Sequence, residues 1–499
     1  MSVLRNFAGQ TAIYGLSTIV ARLINFVLTP LFVNRFSPSV YGIFTNLYSW
    51  AAMLSAVLAF GMETTYFRYL QKHEGNREQV YNNSFVIVLF TSAVFIITVH
   101  LFSGSIAAWL NNGRYDADYH RYVHYLAWTL VADALAVIPY ARLRAEGRAV
   151  RFALLKLVNI LTFVSLNLLF IVAIPRLLEQ GATGSAGIST WYREGWVGYV
   201  FLANLAASGL TLLLLLPEIV KLKLRLDRKL AMDMAVYSFP VLVANISFII
   251  NEHLDKILIP KLLPGPVGDR DLGIYGAVSK IAVFLSIGVQ AFRLGAEPFF
   301  FSYAKNKNAR KTYALIMDYF IIAMVLVMVG ITVNIEWLKY FIEGDSPAEQ
   351  AAYWSGLHII PILLLNYVLL GVYMNLSIWY KLSDQTRFAL YISGIGAVIT
   401  LVFNVIFIPR YSYVASAWVT LLAYGSMVLI SYLWGQRHYP IPYRVGKNVG
   451  YILAGIVVSW LAFDVFDRHL VAGNLLFTAF AGTTLLIERK TLLAILRRN

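Results

Sequence analysis

Apolar runs of about twenty residues, separated by short polar breaks, recur along the whole of this 499-residue chain. Runs of that length match helices crossing a bilayer core, whereas barrel strands would give alternating segments of about ten residues. Fourteen can be placed, at 10–33, 40–62, 81–102, 122–141, 152–174, 197–217, 235–259, 273–296, 313–335, 353–379, 389–408, 414–434, 449–466 and 471–487. The pattern predicts an all-α fold, a polytopic membrane bundle of about 14 transmembrane helices. Pro30, Pro139, Pro240, Pro298 and Pro361 fall inside or at the edge of spans. There each removes a backbone hydrogen bond and bends the helix. No linker or soluble domain interrupts the runs, and the longest outer loop, about 175–196, carries Gly181, Gly184 and Gly187.

Within this pattern the chain repeats itself at an offset of 234 residues. Pro30 aligns with Pro264, Tyr41-Gly42 with Tyr275-Gly276, Gly61 and Glu63 with Gly295 and Glu297, Phe67 with Phe301, and Tyr69 with Tyr303. Spans 1–2 thus correspond to spans 7–8, which implies six helices per copy. The expected domains are an N-terminal lobe at 1–230 (helices 1–6), a C-terminal lobe at 231–440 (helices 7–12), and an extra helix pair with a basic tail at 441–499. Both copies start on the same side, so the repeat is parallel, a transporter architecture that places the substrate at the repeat interface.

Composition fixes the class: 59% hydrophobic and only 13% charged residues, with a mean hydropathy of +0.66, belong to a membrane protein. A net charge of +15 would fit a nucleic-acid binder, but its placement says otherwise. Loops and tails on the side of the N-terminus hold 26 Lys or Arg, the opposite side ten. Cytoplasmic loops are the basic ones, so both termini are expected in the cytoplasm and no nucleic-acid partner is implied. There is no cysteine, which excludes disulfides, thiolate metal sites and cysteine nucleophiles. The first span reads as a retained anchor. This topology predicts that single cysteines at Ser185 and Ser346 label from outside, and at Asn306 and Gln436 only after permeabilisation; the opposite pattern would overturn the orientation.

Twelve charges lie within or at the rims of the spans: Arg22, Glu63, Asp133, Lys156, Glu252, Asp255, Lys256, Lys280, Arg293, Glu297, Asp318 and Asp464. At roughly 3 kcal/mol each on insertion scales they must pair, snorkel or face water. Arg22 and Lys256 occupy corresponding spans of the two copies and are read as cavity cations, with Lys280 and Arg293 of span 8 as further candidates for binding an anionic substrate. Arg22 has no acidic neighbour within a turn, so its partner is a ligand or a carboxylate such as Glu63 or Asp133. A guanidinium fork suits a pyrophosphate, with two parallel charge-assisted hydrogen bonds. Span 7 holds Glu252, Asp255 and Lys256, and the i,i+4 pair Glu252 and Lys256 allows simple neutralisation. Asp255, Glu252, Glu63, Glu297 and Asp133 are therefore candidates for ion coupling or for charge pairing, the two glutamates at one repeat position beside basic loops.

The segments Phe36-Ser37-Pro38-Ser39-Val40-Tyr41-Gly42, Ala145-Glu146-Gly147-Arg148, Asp255-Lys256-Ile257-Leu258-Ile259 and Leu272-Gly273-Ile274-Tyr275-Gly276 resemble the polysaccharide transporter family. That family holds lipid-linked O-antigen and capsule unit flippases, within the multidrug/oligosaccharidyl-lipid/polysaccharide exporter superfamily. The resemblance implies a two-lobed bundle in a bacterial cytoplasmic (inner) membrane. It would turn an undecaprenyl-pyrophosphate-linked oligosaccharide from the inner to the outer leaflet for lipopolysaccharide or related surface polysaccharide assembly. It further implies membrane lipids and a polysaccharide polymerase machinery as partners, no cofactor, and coupling to a proton or sodium gradient.

Other functions are open to test on the same residues. A polyprenyl-dependent glycosyltransferase would carry acidic residues in its first outer loop, whereas Asn34–Ser39 holds none. Asp269-Arg270-Asp271 has the form of a metal-binding DxD but suits a solvated turn. The expectation is therefore no enzyme. A pump for cationic drugs would want an acidic cavity, against the cations found here. A peptidoglycan-precursor flippase shares the pyrophosphate and stays open, as does a small-molecule exporter.

Overall fold

The computed structural model describes residues 23–496 except 25, 115, 182–184, 222–225 and 384. Among these residues it is helical, and twelve helices are long and apolar enough to cross a membrane. We number them to match the expected spans. The first span is described only in its last part, including a short helix α1, Thr29–Arg35; Arg22 lies outside the described residues. Then follow α2 (Pro38–Lys72), α3 (Arg77–Leu110), α4 (Ala117–Ala145), α5 (Ala149–Glu179), α6 (Gly198–Ile219), α7 (Arg228–Leu262), α8 (Pro266–Phe301), α9 (Ala309–Val333) and α10 (Pro347–Leu382). Spans 11 and 12 form one run, Arg387–His438, in which Ser412 alone is non-helical; its legs are α11 (387–411) and α12 (413–438). Last come α13 (Val445–Val465) and α14 (Leu470–Thr491).

Two compact units emerge from the packing. One comprises residues 1–273 with 400–412, the other 274–399 with 413–499. In the first, α4 lies at the centre: 72% of its apolar window is buried, and it packs on α2, α3, α5 and α6. Asp116 caps its first turn, the carboxylate accepting from the Asp118 N–H at 2.8 Å. This unit also holds α7, which packs on α2 and α3. In the second, α9 is central, packed on α10, α13 and α14, so the extra pair belongs to that unit.

Three local features of the first unit shape its site. Helix α2 breaks at Phe60 and Gly61, both in the left-handed region at φ 48° and 64°. The break frees carbonyls that must find donors. Phe60 O accepts from the Ser238 hydroxyl of α7 at 2.5 Å, and Leu58 O from Thr91 of α3 at 3.0 Å. At the other end of α2, Gly42 meets Gly273 at the start of α8. A Cβ on Gly42 would fall 1.8 Å from the Asp269 carbonyl oxygen, and one on Gly273 1.7 Å from that of Pro38. Glycine is required on both sides, because the two backbones touch. Ser412, at φ 51°, donates to Asp271 at 2.5 Å. A backbone kink thus replaces the outer loop expected between spans 11 and 12.

The prolines divide by position. Pro139 and Pro240 are interior to helices, as is Pro260, while Pro30 and Pro361 sit in first turns, where no hydrogen bond is lost.

Candidate functional site

In the first unit, α7 carries the densest polar stretch. Asn251 and Asp255 are buried, at 2% exposure each. The Lys256 ammonium donates to the Glu252 carbonyl oxygen at 2.6 Å and meets Asp255 Oδ1 at 3.2 Å. Lysine therefore pairs with its chain neighbour as well as reaching back to the Glu252 backbone. Asn46 of α2 donates to the Lys256 carbonyl at 3.0 Å, tying the turn down. Across from α7, Thr400 of α11 donates to Asn251 Oδ1 at 2.9 Å. One turn along α11 stands Asn404, fully buried, whose amide oxygen and nitrogen both lack a hydrogen-bond partner among the described residues. Asp255 occupies the equivalent next turn of α7. Such unsatisfied groups are costly and concentrate where a ligand or ion acts.

Within the second unit a small, half-open pocket lies between α8 and α10. Phe292, Phe300 and Met374 give it apolar walls, and Arg293, Glu297, Asn375, Ser377 and Lys381 are its polar groups. Arg293 is exposed although it lies well inside an apolar helix. Lys381 is held by Glu297 at 2.7 Å. Lys280, higher on α8, is half-buried and does not line this pocket.

Glu297 and Glu63 share a repeat position, and each makes the same kind of bond in its own unit. Glu63 pairs with Arg144 at the end of α4, Glu297 with Lys381 at the end of α10. Neither glutamate is left to face lipid, and the charge-pairing alternative holds for both. Arg142 next to this pair contacts Glu78 at 2.8 Å and Glu146 at 2.7 Å. Burial pushes the Glu146 carboxyl up, but the hydrogen bonds and charges of Arg142 and Arg148 outweigh it and hold the group below the ordinary carboxylate range. Because the Glu63 and Arg144 side chains are 47% and 30% exposed, Glu63→Gln should cost about 1 kcal/mol or less in thermal unfolding. The exchange Glu63→Arg with Arg144→Glu should recover it, and no recovery would show that the pair is incidental.

Asp133 lies deep in α4 with Ser208 of α6 hydrogen-bonded to it and Lys156 of α5 near in charge. Lys156 stands over the Tyr140 ring at 4.4 Å. Asp133 keeps exposed surface among buried neighbours on α4. It stands apart from the Lys256 turn and from the Arg293 pocket in the bonds it makes. Sequence reasoning missed Arg144, Lys381, Thr400 and Asn404 as site members. The offset of 234 could have found Lys381 from Arg144 within one turn; nothing in the sequence pointed to Asn404.

Among the described residues no group of three His, Cys, Asp or Glu is arranged to hold a metal ion. What the described sites offer is cationic, acidic and amide groups beside apolar walls.

Comparison with known proteins agrees on the architecture. A lipid II flippase, MurJ, in an inward closed conformation is similar with a TM-score of 0.69 at 13% identity, over 96% of this chain and 99% of that one. An inward-facing multidrug resistance MATE transporter of the MOP superfamily gives 0.65 at 16% identity, over 86% and 96%. A MOP superfamily transporter from Pyrococcus furiosus Vc1, described as having a binding pocket of reversed polarity, gives 0.54 at 12% identity, over 86% and 95%. At these identities the likeness is one of fold. No curated protein matches the sequence. A family model named MatE matches residues 240–406, and that for polysaccharide biosynthesis proteins matches residues 7–303. With more than half its length matched, this multi-pass membrane chain belongs to the polysaccharide biosynthesis protein family.

Proposed function

We propose that this protein is a flippase that carries an undecaprenyl-pyrophosphate-linked oligosaccharide from the inner to the outer leaflet of a bacterial cytoplasmic membrane, by alternating access, with both termini in the cytoplasm. The observation that carries this reading is the Arg293 pocket, where an exposed guanidinium inside an apolar helix stands beside Lys381 and aromatic walls. A fork of donors recognises the diphosphate, and the walls accept the adjoining apolar chain. Glu297 in the same lining is taken up by Lys381, which leaves the Arg293 charge to face an organic cation. The protein is a transporter and not an enzyme in this reading, needs no cofactor and binds no nucleic acid, and its product would pass to polysaccharide polymerase machinery.

Coupling fits the α7 turn. Asp255 is buried, paired with Lys256, and one turn beyond the Asn251 and Thr400 bond, so proton or sodium entry there would change the charge of the helix that packs along α2. The repeat would make residues 1–230 and 231–440 the moving lobes, with Arg22 and Lys256 as one cation from each. A second reading, a flippase for the peptidoglycan precursor, is favoured by the likeness to MurJ and requires the same pyrophosphate chemistry. A deletion strain decides between them. Accumulation of one lipid-linked oligosaccharide on the inner leaflet supports the first reading; accumulation of peptidoglycan precursor with lysis supports the second, and neither accumulating would overturn both.

A further inference from the structure

Three histidines meet near the ends of α3 and α4 that point away from the basic loops. Ring centroids are 4.9 Å apart for His100 and His124 and 4.6 Å for His120 and His124, all edge to face, and Trp128 closes on His100 at 5.7 Å. At 1.5 Å per residue His100 and His124 stand roughly 10 Å from the midpoints of their helices and His120 roughly 16 Å. The hydrocarbon half-thickness is about 15 Å, so the cluster climbs from within the apolar layer to its edge. His100 is exposed, flanked along α3 by Ile97 and Leu101 at 58% and 73% exposure, with Trp128 at 46%. That stripe faces lipid. Ionisable groups on such a surface are rare and call for a function.

We propose that His100, His120 and His124 form a binding site for the phosphate headgroup of an anionic lipid in the leaflet at that end of the bundle. His100 Nδ1 lies 2.9 Å from the Ile96 carbonyl and must donate to it, so in the neutral ring Nε2 is a lone pair. Protonation turns Nε2 into a charged donor aimed at an acceptor, which a phosphate oxygen supplies. His120 Nε2 shares a hydrogen bond with Ser103 at 3.0 Å, leaving Nδ1 for the same change. Protonation therefore turns lone pairs of the cluster into donors.

The neighbouring charges do not supply a competing partner. Asp118 is engaged by Arg193 at 2.7 Å and by Arg121 at 3.5 Å, and Asp116 caps α4. Lys261 of α7 binds the carbonyls of Trp109 and Leu110 at the end of α3. Helix α2 has no charge from Pro38 to Ala59; Arg151 and Lys156 of α5 and Glu218 of α6 lie toward the opposite end, while Arg176 and Glu179 close α5 at the same end as the histidines. A transition metal is the other ligand imidazoles attract, but the three rings are not arranged around one.

The test uses the full protein in nanodiscs of phosphatidylcholine doped with phosphatidylglycerol, with retained lipid counted by native mass spectrometry. Wild type should retain about tenfold more phosphatidylglycerol near pH 5.5 than near pH 8, and the triple variant His100→Gln, His120→Gln, His124→Gln should lose that difference. Should the triple variant fail to fold, His100→Gln alone, at the exposed position, must still reduce it. Equal retention at both pH values, an unchanged difference in the folded variants, or displacement of the lipid by inorganic phosphate at equal concentration would each overturn the site. So would tight zinc binding to the cluster that leaves lipid retention unaffected.

Discussion

Gly42→Ala and Gly273→Ala should each part the outer ends of α2 and α8 and stop transport, although alanine adds a single methyl. The added carbon would stand 1.8 Å or 1.7 Å from a backbone carbonyl oxygen, less than half an ordinary contact. Backbone atoms have no rotamer to escape into, so the helices themselves must separate. Overpacking of a tight contact costs about 1–3 kcal/mol, enough to shift a two-state balance tenfold or more. Ser49→Cys reports on this directly, since Ser49 is 2% exposed and lies two turns along α2 from Gly42. An impermeant maleimide should label it slowly in the wild-type background and at least about tenfold faster with Gly42→Ala. Unchanged labelling and transport in both glycine variants would mean that the crossing is not held closed during the cycle.

Arg293→Ala should reduce translocation by about ten- to a hundredfold, the worth of a charge-assisted hydrogen bond to an anion. Insertion and thermal stability should be kept, because the side chain is exposed in the pocket and has no ion pair to lose among the described residues. Arg293→Lys should rescue only in part, a point charge replacing a planar fork. Lys256→Ala should abolish transport for a different reason: it removes the ammonium that meets the buried Asp255 carboxylate at 3.2 Å, and removing one partner of a buried pair costs about 3–5 kcal/mol. The two variants are separated by adding Asp255→Asn, which should restore stability to Lys256→Ala and do nothing for Arg293→Ala. Full activity in Arg293→Gln would remove the pocket from the mechanism.

Much of the architecture was legible in the chain because a membrane span leaves a long apolar signal. The runs at 81–102 and 122–141 sit inside α3 and α4, whose true ends lie several residues further out. Helices extend past the apolar window wherever a cap such as Asp116 stops them, and hydropathy does not register caps. Glu63 and Glu297, which the repeat aligns, each pair with a cation, Arg144 and Lys381. What sequence could not give was the partner of each charge. Lys256 reaches Asp255 and the Glu252 backbone rather than settling the matter through the i,i+4 carboxylate alone. The buried Asn404 looked like any amide in an apolar run. The Gly42 and Gly273 contact escaped because the repeat aligns Gly42 with Gly276, one turn away from the glycine it touches. Arg22, the cation that first drew attention, lies outside the described residues, and its pairing with Lys256 remains a proposal of the repeat.

The most direct measurement is translocation by the purified protein in liposomes. A fluorescent undecaprenyl-pyrophosphate oligosaccharide is placed in one leaflet, and the fraction that becomes accessible to an added quencher is followed with time. Protein-dependent movement of this lipid, lost with Arg293→Ala and absent for an uncharged polyprenyl glycoside, is the result expected of a flippase that grips a diphosphate. Equal movement of the uncharged lipid, or transport of organic cations in place of the pyrophosphate lipid, would contradict it.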